Sequence, residues 1–283
     1  MWRFSLTPVN TGIVSKSFAA VCFMLQIHCA IASAQNAPAA KIELGSTTAR
    51  NGFKNEDEIR DKFNNWRTDV NSRAWLQAMD YRIADIVAVT ASKPHGQKSD
   101  VTVAIRTKSG EHTERISIKL VSSPNGFNQI DKRWLSSYAD MWQMPPEVVN
   151  ALKFYVGETP PPTGSRDAQR MYLDELDEKT QQAVVAFFTT HKDQIISDLV
   201  AGDGEHAADW MMVTFKATNE PHWIIKSSAV AIRFYSDGPV AITKAGNLKL
   251  GRITMQRKGG DNGRESAKML QFKLNPMLLF DAP

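Results

Sequence analysis

The stretch "QKSDVTVAIRTKSGEHTERISIKL", residues 97–120, decides the fold. Two runs rich in Val, Ile and Thr, Asp100–Arg106 and Arg115–Val121, flank the polar "KSGEH", which predicts a β-hairpin. Asp100 opens the first run and Lys119 stands near the end of the second. Side chains two apart on a strand share a face, so Ser117 and Lys119 point the same way, and the hairpin can bring Asp100 beside them. A strand-borne carboxylate next to such a lysine suits metal-assisted phosphodiester hydrolysis. Its oxygens can hold Mg²⁺, which polarises a phosphate oxygen and helps generate hydroxide. The lysine can orient the water and stabilise developing negative charge. Acids at strand starts and lysines at strand ends are nevertheless common, and on spacing alone the ordinary surface hairpin prevails.

Upstream of the hairpin, Ile59, Phe63 and Trp66 recur at helical spacing behind an acidic first turn, and a second helix is expected over Ala74–Val87. Downstream, "SSPNGFNQ" reads as a loop and Asp131–Gln143 as a helix stopped by Pro145-Pro146. "ETPPPTGSRD" is a further loop, and residues 168–200 read as two helices. After Gly202 the texture is β-like: "WMMVTFKA", "HWIIKS", "AIRFYS", Leu250–Gln256 and Ala267–Leu274. The fold class expected is α/β, with helices flanking a mixed central sheet and extra strands toward the C-terminus.

The composition, 42% hydrophobic and 23% charged, is that of an ordinary globular protein, with a formal net charge of +4. From residue 41 onward there are 32 basic against 30 acidic residues, so a polyanion partner would need locally clustered charge. Both cysteines, Cys22 and Cys29, lie in the first forty residues, which excludes a disulfide framework, a cysteine metal site and a cysteine nucleophile from the rest of the chain. That N-terminal segment has Arg3 and Lys16 before "SFAAVCFMLQIHCAIASA" and the small-residue pattern Ala32-Ser33-Ala34 before Gln35, the layout of a secretory signal.

Charge does cluster near the C-terminus. Lys249–Lys273 holds seven basic residues against Asp261 and Glu265, a local excess of +5. Ile253 and Met255 alternate with polar neighbours, as do Leu270 and Phe272, so each run has one apolar and one polar face. A basic two-stranded ribbon with the Gly-rich connection "RKGGDNGRES" can enter a DNA major groove. Arg257 or Arg264 could take guanine bidentately, and Asp261 could accept from cytosine. Gln256, Lys258, Asn262, Gln271 and Lys273 are further candidates on this ribbon. The histidines have no metal-like spacing, and "RKGGDNGR" lacks the ending of a nucleotide P-loop.

"SDVTVAI…RISIKLVSS" resembles the PD-(D/E)xK nuclease core, with Ser117 where the superfamily has its second acid. Around it, "ELGSTTARNGFKNEDEI", "GFNQIDKRWLSSYADMW" and "ITMQRKGGDNGRESAKMLQFKLNP" resemble the short type II restriction endonucleases that cut GCGC, the HinP type. The likeness runs from about Ile42 to Phe280. It implies a single endonuclease domain over residues 42–283, with a catalytic core to residue 165 and a helical and β-rich DNA-recognition part over 166–283. It also implies Mg²⁺ as cofactor, Asp100 as metal ligand and Lys119 as the catalytic lysine. Ser117, the Ile118 carbonyl and Glu56 would complete the metal's surroundings. Phe127 becomes a candidate wedge between base steps, Asn128 and Gln129 base-edge contacts, and Lys132 and Arg133 phosphate contacts.

The resemblance further implies double-stranded DNA as substrate, 5′-phosphate ends and a cognate methyltransferase protecting host DNA. A palindromic site suits a homodimer or a monomer nicking twice. Such an enzyme meets DNA in the cytoplasm, so residues 1–40 are expected to lie outside the fold as an overextended start. Export, with a chain beginning at Gln35, is the alternative. Ser117 keeps a second function open: a sequence-specific DNA-binding protein whose nuclease site is weakened or lost.

Overall fold

The hairpin forms, with a second arm longer than its composition suggests. In the computed structural model, strand β2 is Val101–Thr107 and strand β3 is Gly110–Val121, so the turn shrinks to Lys108-Ser109. The described residues are 47–283 apart from 95, 163, 218–220 and 259–264. The N-terminal signal-like segment and the predicted base contacts Asp261, Asn262 and Arg264 lie outside them. Among the described residues no helix is long and apolar enough to cross a membrane.

Helix α1 covers residues 47–64 and buries Ile59 and Phe63. Helix α2, Val70–Ala78, starts where Asp69 accepts a hydrogen bond from the Ser72 N–H at 2.8 Å. It ends well short of the expected Val87. Asp80 turns to φ 67°, and Ile86–Ser92 becomes strand β1, because its Ile, Val and Thr side chains suit a pleated surface better than a helix. α1 is pinned to this strand by Asn64, whose amide exchanges two hydrogen bonds with the Ala91 backbone, at 2.8 and 3.1 Å.

The polar run Asn128–Arg133 is strand β4, and only Leu135–Met141 is helical (α3), which corrects the helix expected over Asp131–Gln143. Helices α4 (Pro146–Val156), α5 (Glu178–Thr190) and α6 (Lys192–Val200) follow. Pro146 therefore starts a helix, its missing N–H costing nothing in a first turn. Strands β5 (Trp210–Phe215) and β6 (His222–Ser227) form as expected. "AIRFYS" does not. It belongs to helix α7, Ser228–Ser236, which buries Ala231, Phe234 and Tyr235 at helical spacing. Four more strands complete the chain: β7 (Val240–Ile242), β8 (Leu248–Leu250), β9 (Ile253–Arg257) and β10 (Leu270–Leu274).

The strands make two five-stranded sheets, in the orders β1-β2-β3-β5-β6 and β4-β10-β9-β8-β7. In the first, β3 and β5 are parallel and the other pairs antiparallel. One core joins α1 and α2 to the first sheet through Val101, Val103, Ile105, Ile116 and Met212. The other takes Met211 and Val213 from the opposite face of β5, with helices α3–α7 and the apolar face of the second sheet. Helices flanking mixed strands give the expected α/β class. The C-terminal ribbon, however, is no free-standing hairpin: β9 and β10 are inner strands of a sheet closed on one side by β4.

Candidate active site

The first sheet brings Asp100, Ser117 and Lys119 together where β2 begins and β3 nears its end. Asp100 donates its backbone N–H to the Ile116 carbonyl at 2.9 Å, fixing the carboxylate just before β2. Its Oδ2 accepts the Ile118 N–H at 2.5 Å and the Ser117 hydroxyl at 3.5 Å. Lys119 Nζ lies 3.7 Å from the same oxygen. It donates to Ser117 Oγ at 3.1 Å and to the Ile118 carbonyl at 3.0 Å. None of these contacts engages Asp100 Oδ1. Ser117 is 1% exposed, so its hydroxyl is an internal part of this network.

The group opens into a cavity of about 520 Å³. Asp100, Ile118 and Lys119 line it together with Asn128 and Gln129 from β4, and Asn51, Gly52, Asn55 and Glu56 from α1. Asn128 is held by a 2.9 Å bond from its amide to the Leu120 carbonyl, whereas Gln129 is exposed. Phe127, at the head of β4, is 56% exposed, a large apolar surface left to solvent. Glu56 reaches the cavity wall but is engaged by Lys93 at 3.0 Å. Burial raises the Glu56 carboxyl above its ordinary value, the Lys93 hydrogen bond opposes this, and the charge of Asp100 reinforces it.

Two neighbours carry no signal in the hairpin pattern. Lys98 stands two residues before Asp100, half-buried against β4. Its Nζ donates to the Ile130 carbonyl at 3.0 Å and lies 3.9 Å from Asp131. Burial lowers its pKa to about 8, with the Lys119 charge pushing the same way. Asn55 is 2% exposed, and its Oδ1 is buried without a hydrogen-bond partner among the described residues. Its spacing of four from buried Ile59 is the hint that it faces inward.

The metal that the resemblance implies finds a partial donor set. One carboxylate, one backbone carbonyl and one hydroxyl converge, and among the described residues there is no group of three His, Cys, Asp or Glu side chains able to hold an ion. This fits a hard cation that keeps several waters and borrows substrate phosphate oxygens, as Mg²⁺ does.

The predicted DNA contacts fall on two sheet faces. Cross-strand partners share a face. Lys132 sits opposite Gln271, which sits opposite Gln256; Gln129 sits opposite Lys273, which sits opposite Thr254. The polar face of the second sheet therefore aligns residues from segments over 120 positions apart in sequence. Within it Gln271 is buried, and its amide donates to the Arg257 carbonyl at 3.2 Å. Arg257 turns to the other side. Its guanidinium lies 3.8 Å from the centre of the Tyr172 ring and 3.2 Å from Asp167, with the side chain 11% exposed. Arg133 is paired with both oxygens of Asp131 at 3.1 Å, but its side chain stays 42% exposed. Lys258 is half-buried at the end of β9.

Comparison with known proteins gives the family and the fold. A family model described as R.HinP1I restriction endonuclease matches residues 79–280. No curated protein matches. Among solved structures, restriction endonuclease MspI in complex with its cognate DNA is similar, with TM-score 0.59, 15% identity, and coverage of 82% of this chain and 92% of that one. At that identity the likeness speaks for the fold, which is that of a PD-(D/E)xK restriction endonuclease. With well over half its length matched by the family model, the chain belongs to the R.HinP1I restriction endonuclease family and is a type II, site-specific DNA nuclease.

Proposed function

We propose that the protein hydrolyses both strands of duplex DNA at a short palindrome, GCGC, in a Mg²⁺-dependent reaction that leaves 5′-phosphates. The observation that carries this reading is the meeting of Asp100, Ile118 and Lys119 with Asn128 and Gln129 in one cavity. Hydrolytic groups and candidate base-edge groups thus border the same space. Asp100, the Ile118 carbonyl, Ser117 and, from α1, Glu56 are the metal's surroundings. The ion when bound supplies Lewis-acid polarisation of a phosphate oxygen and an acidified water.

Lys119 orients the water and faces the negative charge that grows on phosphorus oxygens. Water adds to phosphorus, the bond to the 3′ oxygen breaks, and the proton ends on that oxygen. Phe127 wedges into the duplex, while Gln129, Gln256 and Lys273 on the polar sheet face supply contacts. Asp261, Asn262 and Arg264 extend the same reading beyond the described residues. Lys132, Arg133 and Lys258 track phosphates. Arg257 and Gln271 act from behind, by holding the sheet that bears the readers. A cognate methyltransferase protects host DNA, the enzyme works in the cytoplasm, and it acts as a homodimer or as a monomer in two successive nicks.

A second reading, specific binding with a weakened nuclease site, is favoured by one observation. Lys119 Nζ already occupies Ser117 Oγ and the Ile118 carbonyl, two of the oxygens a metal would need. Incubating the purified protein with an unmethylated GCGC plasmid, with and without Mg²⁺, separates the two. Discrete fragments that require Mg²⁺ support the nuclease. Site-specific retention of uncut DNA supports the second reading, and no affinity for DNA sinks both.

A further inference from the structure

Part of the cavity's lining comes from α1, which precedes the family-matched residues 79–280. Asn51, Gly52 and Asn55 line it at positions i, i+1 and i+4, one face of the helix. A Cβ placed on Gly52 meets nothing within 4 Å among the described residues, which leave open space over the helix there. Asn55 is buried and only half satisfied. Its NH₂ makes a long 3.4 Å bond to Thr214 Oγ1, and its Oδ1 has no partner among the described residues. Turned over about its last torsion, the amide would accept from the Thr214 hydroxyl and leave its NH₂ for an acceptor in the cavity. α1 is also rigidly mounted, through Asn64 on the β1 backbone and through buried Ile59 and Phe63.

We propose that this face of α1 is a binding surface for the sugar–phosphate backbone of the strand being cut. Asn51 and Asn55 donate to phosphate or sugar oxygens, and Gly52 lets the strand lie against the helix. The inference rests on the reading that DNA enters this cavity, and it adds a contact that fixes position without reading sequence. An amide face suits that task, since each neutral hydrogen bond adds affinity for any duplex alike.

The test is fluorescence-anisotropy binding of the full chain, in buffer with EDTA, to a labelled duplex containing GCGC and to one lacking it. Gly52→Leu, Asn51→Ala and Asn55→Ala are compared with wild type, alongside melting temperatures. Gly52→Leu is expected to weaken both duplexes about tenfold, with their affinity ratio unchanged. Its melting temperature should hold or rise, because leucine replaces the poorest helix former after proline in open space. The asparagine variants are each expected to lose about three- to tenfold on both duplexes.

Wild-type affinity in Gly52→Leu would overturn the proposal, and so would loss on the GCGC duplex alone, which would make α1 a base reader. Should Gly52→Leu fail to fold, exposed Asn51→Ala carries the same two outcomes. Wild type that binds neither duplex removes the nuclease reading itself, and this inference with it.

Discussion

The two sheets use polar side chains in opposite ways. At the end of β3 in the first, each polar side chain of the cluster is held by a neighbour: Asp100, through Oδ2, by Ile118 and Ser117, Ser117 by Lys119, Lys119 by the Ile118 carbonyl. On the polar face of the second, Gln129 is exposed and Lys273 half-buried, directly across the ladder from each other. Chemistry needs groups fixed before the substrate arrives, so their partners are internal. On the proposed function, sequence reading needs donors and acceptors left for the bases, which exposed Gln129 would offer. Arg257 shows the difference within a single strand. An arginine in a basic segment looks like a reader, yet stacked on Tyr172 and paired with Asp167 it behaves as the first sheet's residues do.

This contrast can be broken in several places. The largest effect belongs to Lys119→Met, which should lower the cleavage rate on the order of 10²–10³-fold. Single-turnover assays at saturating enzyme would show it, with duplex affinity little changed. Lys273→Ala, on the reading face, should cost about 1–3 kcal/mol of discrimination between GCGC and a singly altered site. Competition binding measures this, and equal weakening on every duplex would make Lys273 a phosphate contact instead. Arg257→Ala should lower folding stability by about 1–2 kcal/mol in urea titrations, through loss of its ring and carboxylate contacts. The site preference of its folded fraction should stay intact. Loss of preference at unchanged stability would return Arg257 to the readers.

The smallest effect concerns Lys98, at the boundary between the sheets. Burial lowers its pKa from 10.5 to about 8. Between these values the unfolded chain binds more protons at this residue than the folded one, so its contribution to stability rises with pH. Compared in metal-free buffer, wild type should gain stability relative to Lys98→Met from pH 7.5 to 9.5. A difference that is flat across this range would mean that Lys98 stays charged in the fold.

The part of this design legible in the sequence is the part built from local pattern. Asp100 and Lys119 stand out because β2 and β3 alternate cleanly and are joined by a short turn. The strand β4 was hidden because "NQIDKR" has no apolar alternation; its pairing with β10, not its composition, makes it a strand. "AIRFYS" in helix α7 reads as a strand because it is rich in β-favouring residues, while the burial of Ala231, Phe234 and Tyr235 follows the helical period. β1 was absorbed into the preceding helix, since an Ala- and Val-rich run suits either state until Asp80 breaks the chain direction. Asn55 and the inward turn of Arg257 depend on partners 85 or more residues away, and Lys98 on a strand of the other sheet, and no local spacing announces them.

The central claim is that the Asp100–Lys119 cluster cuts and does not merely bind. Asp100→Ala tests it most directly, because it removes the one carboxylate at the cluster's centre. With Mg²⁺, wild type should convert a GCGC duplex to two fragments with 5′-phosphates. Asp100→Ala should retain the uncut duplex in a gel shift with about wild-type preference for the site. Fragments of the same size from the variant would contradict the account, since cutting would then not depend on the cluster at all.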